Sequence, residues 1–462
     1  MLNTQLISKN VEINTINGTL IGALEQDLVS APNKPISKFV HVLYQHRALS
    51  QQSRNYKDEM DVAKKLATDL EKLANEYDIN THFSIDTSGE PLVIKERQGE
   101  HVILPTHFEK GAYFSHPHAD HQMDISAEQL PKIKVGRYTR FGKNVGVNVG
   151  ADLTIGEGVW FSPNSYVLKQ DHCPYSRPAV GARTVRMTKL PAMKICDYAW
   201  LGKLSEAGWD CDYVGKSSII ATRSFINSWV SDYSLTGNHG KIIQYFPYKA
   251  ALFELWECGF EEMLKIDDWY QVNEIWLKQY HTFCQENSFH EPVSLLKNTM
   301  ANLSVGKNVL DLNPQYGDAV CYAAGKGLNV DVISIDRKNF PVILQRIQDS
   351  RFNNIRLRAD LDLSKLPFVD GKYYSLRYAM KGYDLVINDL CNLEVDDNNL
   401  ERRMAESYRV AKPGGKIYFS VQGNYDFSKI VIFAQQLKMH CTDSGYVSHP
   451  ICGRCAAIVF EK

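Results

Sequence analysis

His172 is the first residue of this chain whose type and position suggest catalysis. It stands near the start of residues 170–194, a stretch that interrupts an otherwise regular repeat. Long loops on rigid scaffolds are often functional, and a neutral imidazole titrates in the range needed to take a proton from an attacking hydroxyl or amine. His172 is therefore a candidate general base. The alternative is an exposed loop histidine without a chemical role.

Acids that follow strand-like runs near the end of the chain form a second set of candidates. Asp311 lies in the run NVLDLN, Asp336 ends DVISID, and Asp360 follows NIRLRA. An acid at the end of a parallel strand can bind the two hydroxyls of a ribose, and a glycine after the first strand lets a cofactor approach the backbone. These acids and Gly317 are therefore candidates for a cofactor site. Acids are common at strand ends, so a domain without a cofactor is the alternative.

Two clusters contain residue types that bind metals. The first has the spacing H-x-H-x-D-H, which is typical of dinuclear zinc hydrolases, but the repeat begins about a dozen residues later and leaves no room for the rest of that fold. The second has one C-x-x-C pair, whereas structural zinc sites commonly have two. We therefore assign no metal ligand from the sequence, and metal binding by either cluster stays open. The first cluster is His116, His118, Asp120 and His121, and the second is Cys441, His449, Cys452 and Cys455.

The composition is that of an ordinary globular protein with several domains. The chain has 462 residues, of which 44% are hydrophobic and 23% charged, and its formal net charge is -1. These values disfavour a disordered chain and a nucleic-acid binder that acts through bulk charge. We find no apolar stretch of about 20 residues and no secretory signal. We therefore expect a cytoplasmic protein that keeps its ten cysteines reduced and does not cross a membrane.

An internal repeat of six residues fills residues 132–246, on both sides of residues 170–194. Each repeat contributes one apolar residue, and small residues, polar residues and glycines fill the gaps. This period is typical of a parallel β-helix, in which each short strand points one apolar residue inwards before the chain turns. The repeating positions are Val135, Phe141, Val147, Leu153 and Val159, and then Ile195, Leu201, Ala207, Tyr213, Ile219 and Phe225.

The segments on either side of the repeat have other patterns. Residues 1–131 combine an amphipathic helix with short strands and predict a small α+β accessory module. Residues 247–289 have helical spacing and predict a helical linker. In residues 290–462 strand-like runs alternate with helices, which predicts a parallel sheet covered by helices.

The repeat, from KVGRYTRFGKN to GNHGKII, resembles the hexapeptide-repeat acyltransferases, which have a left-handed parallel β-helix. The resemblance implies a homotrimer that binds acetyl-CoA in grooves between neighbouring subunits, with a histidine near an extended loop as general base. His172 matches that histidine. Two of the implied coenzyme contacts, Gly202 and Ala221, fit equally well as corners of the β-helix. The implied contacts are Trp200, Gly202, Ala221 and Arg223.

The run NVLDLNPQYGDAV, residues 308–320, resembles motif I of the class I S-adenosylmethionine-dependent methyltransferases, which have a Rossmann-like α/β fold. Later runs resemble the family's L-P-F-x-D stretch and its P-G-G turn. Residues 313–315 replace the first glycine of motif I and its neighbours, so a domain without cofactor is again the alternative. The residues that the resemblance implies in cofactor binding are Asp311, Gly317, Asp336 and Asp360.

Together these features predict a multidomain enzyme: a small α+β module, a left-handed β-helix and a Rossmann-like methyltransferase domain. We expect acetyl transfer from acetyl-CoA to a hydroxyl or amine of a sugar or nucleotide-sugar-like acceptor, with methyl transfer by the last domain as a second activity. One alternative is an S-adenosylmethionine-dependent methyltransferase that uses the β-helix as a trimerising scaffold. Another is a binding protein in which both sites have decayed. No nucleic-acid or membrane partner is expected.

Overall fold

The structure of the chain is a computed structural model that divides it into two compact units. The first unit contains the residues up to Val230 together with Leu235–Lys241, and the second contains Ser231–Ser234 and Ile242–Lys462. The residues that the structure describes are residue 68 and residues 83–86, 90–96, 99–109, 112–115, 131–169, 192–266, 268–334, 337–359, 382–391, 397–422, 425–450 and 453–462.

The first unit is a coil of short parallel strands arranged in three sheets. Each strand pairs with strands of the neighbouring turns. The first sheet contains β1 (Phe83–Ile85), β6 (Ile133–Val135), β9 (Leu153–Ile155), β12 (Met193–Ile195) and β15 (Tyr213–Val214). The second contains β4 (Thr106–Phe108), β7 (Thr139–Phe141), β10 (Trp160–Phe161), β13 (Trp200–Leu201), β16 (Ile219–Ile220) and β18 (Ser234–Thr236). The third contains β5 (Tyr113–Ser115), β8 (Gly146–Val149), β11 (Tyr166–Lys169), β14 (Glu206–Ala207) and β17 (Phe225–Ile226). β2 (Leu92–Glu96) and β3 (Gly99–Ile103) form an antiparallel hairpin, and Asn238–Gly240 form a 3-10 helix.

The apolar residue of each repeat fills the interior of this coil. The first five predicted interior positions, from Val135 to Val159, are confirmed, because each is at most 2% exposed. Phe141 stacks on Phe108 and on Phe161 of the two adjacent turns, at ring-centroid distances of 4.6 and 4.7 Å. Burying such a side chain contributes about 1.5–3 kcal/mol, so this column of side chains holds the turns together.

The interior pattern shifts by one residue in the later turns. Ile219 and Phe225, which the six-residue period places inside, lie on the outside, and Phe225 is 36% exposed. Ile220 and Ile226 fill the interior instead. The shift occurs because the chain takes seven residues, one more than the period, to pass from Ala207 in β14 to Val214, the interior residue of β15.

The coil also begins before the predicted boundary at residue 132. β1, β4 and β5 pair in parallel with β6, β7 and β8, so residues 83–115 supply a turn of the coil as well as the hairpin. In a regular turn the paired residues are 20 apart in the sequence, as Ile133 and Leu153 are. In the turn that contains residues 170–191 they are 40 apart, as Leu153 and Met193 are, although the pairing itself is unchanged. The handedness of the coil and its assembly into a trimer stay predictions.

Some corners of the coil place residues other than glycine in the left-handed region. Leu204 has a φ of 59° and its side chain is 45% exposed. Because a Cβ collides with the following carbonyl oxygen in this region, such a residue costs about 1–2 kcal/mol relative to an unstrained one. The strain is tolerated because the stacked turns on both sides fix the path of the backbone.

The second unit is built around a seven-stranded sheet. Its strands are β20 (Asn308–Asp311), β21 (Asn329–Ile333), β22 (Ile355–Arg358), β23 (Tyr383–Asp389), β24 (Ala411–Gln422), β25 (His440–His449) and β26 (Gly453–Glu461), and β19 (Ile242–Tyr245) precedes them. Its helices are α1 (Pro247–Glu254), α2 (Phe260–Leu264), α3 (Trp269–Glu286), α4 (Ser294–Ala301), α5 (Asp318–Gly325), α6 (Phe340–Asp349), α7 (Asp397–Val410) and α8 (Phe427–Gln436). Among the described residues, no helix combines the length and apolar character needed to cross a membrane.

The strand order makes this sheet Rossmann-like. It runs β22–β21–β20–β23–β24–β26–β25, with the first five strands parallel and β26 antiparallel to both of its neighbours. From β20 the chain builds outwards to β22 and then returns to place β23 on the other side. Sheets of this kind bind their ligands at the carboxyl ends of the strands where the order reverses, which here is between β20 and β23.

Residues 231–234 cover one edge of the sheet. The Asp232 N–H donates to the Leu357 carbonyl at 2.9 Å, and the Asp232 carboxylate accepts from the Ala359 N–H at 3.0 Å. The Ser231 hydroxyl bonds both the N–H and the carbonyl of Leu357, at 2.8 and 3.0 Å. Backbone groups of β22 that an open edge would leave unpaired are therefore satisfied.

A buried ion pair joins the strands β21, β22 and β23. The Arg356 guanidinium donates two hydrogen bonds of 2.8 Å to the Asp331 carboxylate, and the Tyr383 hydroxyl donates a third of 2.8 Å. All three side chains are largely buried. The Asp331 carboxylate thus accepts three hydrogen bonds and faces a cation, which are the conditions under which a buried charge is tolerated.

Candidate functional site

A crevice opens at the carboxyl ends of β20 and β23, the position where the strand order reverses. The turn after β20, the end of β23 and the end of β25 contribute most of its polar side chains. The residues that line it are Glu291, Pro292, Val293, Leu296, Asp311, Asn313, Pro314, Gln315, Asp318, Ala319, Asp389, His449 and Pro450. Four of these are acids and none is a lysine or arginine, so the crevice favours a positively charged ligand.

Asp311 is the most perturbed acid of the crevice. Its side chain is 1% exposed, and among the described residues its carboxylate accepts a hydrogen bond from the Asn313 N–H at 3.1 Å but meets no basic group. Burial, with a smaller contribution from the nearby Asp389 carboxylate, raises the pKa of Asp311 to about 7, although the hydrogen bond from Asn313 acts in the opposite direction. Near neutral pH this group therefore changes charge.

The turn between β20 and α5 replaces the usual glycines with larger residues. Gln315 has a φ of 48° and Gly317 a φ of 85°, so both lie in the left-handed region, and a Cβ on Gly317 would approach Ile343 to 3.3 Å. Asn313 ties the turn to β23, because its side-chain amide donates to the Asp389 carbonyl. The amide nitrogen of Gln315 is buried and has no hydrogen-bond partner in the described part of the chain. A buried unpaired donor is costly, which makes this nitrogen a candidate for binding a ligand oxygen.

Two further acids of the crevice already have partners. Asp318, in the first turn of α5, accepts from the Arg346 guanidinium at 2.7 Å. Arg346 also donates to the Tyr316 carbonyl at 2.6 Å, so it fixes the end of the turn. Glu291 pairs with Lys297. Asp311 is left as the acid whose charge a bound cation would balance.

Asp389 is the last residue of β23 and contacts His449 at the end of β25. Its Oδ2 lies 3.0 Å from His449 Nε2, and its Oδ1 accepts from the Ser420 hydroxyl at 2.7 Å and from the Cys391 N–H at 3.3 Å. Burial alone would raise the pKa of Asp389, but the bonds from His449, Ser420 and Cys391 bring it below the ordinary value. Asp389 is therefore an ionised, rigidly held carboxylate.

Asp389, His449 and Cys391 form a cluster that the sequence did not predict. One ligand atom from each lies within 4.8 Å of the corresponding atoms of the other two. The sequence signal was weak because about 60 residues separate His449 from the other two. Cys441, which the sequence groups with His449, lies near the other end of the same strand, where it pairs with Phe460 while His449 pairs with Gly453. Eight residues of strand span about 26 Å, so Cys441 and His449 are too far apart to bind one metal ion.

The predicted coenzyme contacts of the first unit lie together at one corner of the coil. The Gly202 N–H donates to the Ile220 carbonyl, and a Cβ on Gly202 would lie 2.6 Å from the same oxygen. Ala221 follows at that corner, and Arg223 is exposed with a φ of 59°. Close stacking of two turns is thus sufficient to explain the glycine.

Trp200 forms a ring stack on the outside of the coil. Its ring lies parallel to that of Trp160, with centroids 5.1 Å apart, and its indole N–H donates to the Ser162 hydroxyl at 2.7 Å. Trp160 and Trp200 are 42% and 38% exposed. Contact of Trp200 with a coenzyme stays a prediction.

Several predicted residues lie outside the described part of the chain. They include the predicted general base and two of the four residues, three acids and one glycine, that were assigned to the cofactor of the second unit. Asp311 and Gly317 are both described, at the end of β20 and at the start of α5. The residues outside are His172, Asp336, Asp360, the cluster His116, His118, Asp120 and His121, and Cys452.

No protein-family model matches the chain, and no curated protein matches it. Solved structures that resemble part of it include a geranyl diphosphate methyltransferase, which is 11% identical with a TM-score of 0.29 over 36% of this chain and 75% of that one. A precorrin-6y C5,15-methyltransferase from Geobacter metallireducens is 12% identical with a TM-score of 0.28, over 36% of this chain and 85% of the other. A TehB-like SAM-dependent methyltransferase from Corynebacterium glutamicum is 12% identical with a TM-score of 0.29, over 42% and 98%. The Rossmann-like assignment of the second unit rests on its own strand order.

Proposed function

We propose that the second unit binds S-adenosylmethionine and transfers its methyl group to a small-molecule acceptor, with the coiled first unit as a scaffold. The observation that carries the proposal is the acid-lined crevice at the reversal of strand order, directly after the run that resembles motif I. Rossmann-like sheets bind nucleotide cofactors at this position.

The charge of the crevice fits this cofactor. S-adenosylmethionine has a sulfonium and an ammonium group, and the crevice has acids without a lysine or arginine among its lining residues. Asp311 is the acid without a basic partner in the described part of the chain, and its pKa of about 7 allows it to ionise when a cation arrives. An ionised Asp311 would then stabilise the positive charge of the bound cofactor.

The turn after β20 fits the carboxylate of the same cofactor. The buried amide nitrogen of Gln315 has a donor without a partner among the described residues, which suits an anionic oxygen. Asn313 holds this turn against β23 through the Asp389 carbonyl, so the turn is fixed before a ligand binds. Residues 313–315 thus replace the usual glycines by providing a side-chain donor where the family uses close approach of the backbone.

When bound, the cofactor supplies an electrophilic methyl group attached to a positively charged sulfur. Asp311 would be held in its ionised form by the positive charge of the bound cofactor and not by a product that lacks this charge, so the crevice would attract the product less strongly. The crevice is thereby suited to bind the cofactor more tightly than its product.

Acetyl transfer by the first unit is not part of this proposal, because the predicted base His172 lies outside the described residues. Acetyl-CoA is nevertheless the right comparison ligand, because binding of this coenzyme would favour the first expectation from the sequence.

Calorimetric titration of the full-length protein with S-adenosylmethionine, S-adenosylhomocysteine and acetyl-CoA tests the proposal. We expect S-adenosylmethionine to bind, the product to bind more weakly, and Asp311→Asn to reduce the difference between them. A ligand at 100 times its Kd adds about 2.7 kcal/mol of stability, so thermal unfolding is an independent readout. Asp443→Asn, which removes an exposed acid of the same unit, is the matched control. Absence of both heat and stabilisation with S-adenosylmethionine would refute the proposal.

A further inference from the structure

Asp389, Cys391 and His449 combine three different metal-ligand types at one point of the second unit. Their ligand atoms lie within 4.8 Å of one another, and they are the one group of three such residues found among the described residues. Cys391 is fully buried and His449 is 5% exposed, whereas Asp389 is partly exposed towards the crevice. The cluster is therefore closed on one side and open on the other.

The local chain path explains how the first two residues come together. Asp389 ends β23, and Cys391 follows two positions later in a turn. The Cys391 N–H donates to the Asp389 carboxylate at 3.3 Å, and this bond holds the two residues together. His449 reaches the pair from the end of β25.

The distances are close to those of a tetrahedral zinc site. Zinc binds sulfur at about 2.3 Å and nitrogen or oxygen at about 2.0–2.2 Å, so neighbouring ligand atoms in such a site are about 3.3–3.6 Å apart. Asp389 Oδ2 and His449 Nε2 are already 3.0 Å apart, and no atom of the group is farther than 4.8 Å from another. Small side-chain rotations would bring the three atoms around one ion.

The surroundings also resemble those of a metal site. The Ser420 hydroxyl donates to the Asp389 oxygen that does not face His449, at 2.7 Å, and thereby orients the carboxylate. Outer hydrogen bonds of this kind fix the direction of metal-bound ligands. A thiolate, an imidazole and a carboxylate together suit zinc better than magnesium or calcium, which prefer oxygen ligands.

We propose that Asp389, Cys391 and His449 bind one Zn²⁺ ion, with the fourth position open towards the crevice. Zinc sites with three protein ligands and one open position bind water or a substrate atom there. Asp389 and His449 both line the crevice, so the ion borders the space assigned above to the cofactor. Zinc binding itself does not depend on methyl transfer, and it is measured without S-adenosylmethionine.

Metal titration of the full-length protein tests this site. The protein is first freed of metal with a chelator and then titrated with Zn²⁺ against a competing chromophoric chelator. We expect one Zn²⁺ per chain, and we expect Cys391→Ser and His449→Gln each to weaken binding by at least about 100-fold. Co²⁺ serves as a second probe, since bonding of Cys391 sulfur to cobalt produces a charge-transfer absorption that Cys391→Ser must abolish.

Matched variants separate this site from other thiols. Cys455→Ser removes another buried cysteine of the same sheet, and Cys441→Ser removes an exposed one; neither belongs to the group, and we expect both to bind Zn²⁺ like the wild type. Circular dichroism of each metal-free variant establishes that it is folded, and Asp389→Asn replaces any ligand variant that is not. Wild-type stoichiometry far below one ion per chain would overturn the site. Equal affinity in the wild type and in both folded ligand variants would also overturn it.

The outcome is distinguishable from that of the proposed function. Zinc binding without S-adenosylmethionine binding would support the metal site alone. Cofactor binding with no zinc binding would leave methyl transfer in place and refute the metal site.

Discussion

Replacement of Asp311 with asparagine should remove a pH-dependent loss of stability from the second unit. The Asp311 side chain is 1% exposed, and burial together with the Asp389 charge raises its pKa from 3.8 to about 7. Asparagine has the same shape, and its oxygen can still accept from the Asn313 N–H, which lies 3.1 Å from the carboxylate. The variant therefore removes the charge and keeps the packing.

The folded chain binds more protons at Asp311 than the unfolded chain between these two pKa values. Stability contributed by the protonated carboxyl is therefore complete below about pH 4, falls as the pH rises towards 7, and is constant above that. Each pKa unit corresponds to about 1.4 kcal/mol, so the total loss is about 4 kcal/mol, of which about 2 kcal/mol falls between pH 5.5 and pH 8.

Urea unfolding of the full-length protein and of Asp311→Asn, followed by circular dichroism at about pH 5.5 and pH 8, measures this loss. A chelator is present throughout, so that metal binding at Asp389 does not contribute. We expect the wild type to lose about 2 kcal/mol more than the variant between the two pH values. Asp443→Asn, at an exposed position, should behave like the wild type. A difference between the wild type and Asp311→Asn below about 0.5 kcal/mol would mean that folded Asp311 is already ionised at the lower pH, and would refute the reasoning.

Three further substitutions test the packing of the two units. Leu204→Gly should raise the stability of the coil by about 1 kcal/mol in urea unfolding, because glycine removes the backbone strain of a left-handed position whose side chain is partly exposed. A lower urea midpoint would contradict this. Gly202→Ala should lower the stability of the same unit by about 1–3 kcal/mol, because the new Cβ meets the Ile220 carbonyl at 2.6 Å, and an unchanged thermal midpoint would show that the corner can open. Arg356→Met should lower the free energy of unfolding of the second unit by about 3–5 kcal/mol in urea unfolding, because the Asp331 carboxylate stays buried without its cation. A loss below about 1 kcal/mol would indicate that water reaches that carboxylate.

Periodicity predicted the interior of the coil well where one apolar residue stood alone in each repeat. From Val135 to Leu153 the neighbours of the apolar residue are polar or small, and the period places it inside without ambiguity. At Ile219–Ile220 and Phe225–Ile226 two apolar residues are adjacent, so the sequence does not show which of the two lies inside. One additional residue after Ala207 places the second residue of each pair inside, and a fixed period of six cannot predict that additional residue.

The candidate site was predictable where it lies on one continuous run and not where it depends on contacts across the sheet. Asp311 and Gly317 follow from the strand-and-turn pattern of residues 308–320. The contact of Asp389 with His449 depends on how the β25–β26 hairpin ends, and no local pattern encodes that distance. Cys391 gains significance only once both of these residues are placed beside it.

In one turn of the coil the paired residues are 40 apart in the sequence instead of 20, and this affects how the sequence of the chain can vary. Leu153 pairs with Met193 in the same way as Ile133 pairs with Leu153, so the residues inserted between β11 and β12 do not alter the stacking of the turns. A coil of this type is stabilised by contacts between neighbouring turns, and the cost of closing a longer loop grows only slowly with length. The segment between Lys169 and Met193 is therefore a point at which the chain can accept peptides of very different length and composition without rebuilding its core. It is a natural attachment point for grafted binding sequences, and a place where related chains can diverge in specificity while the scaffold stays the same.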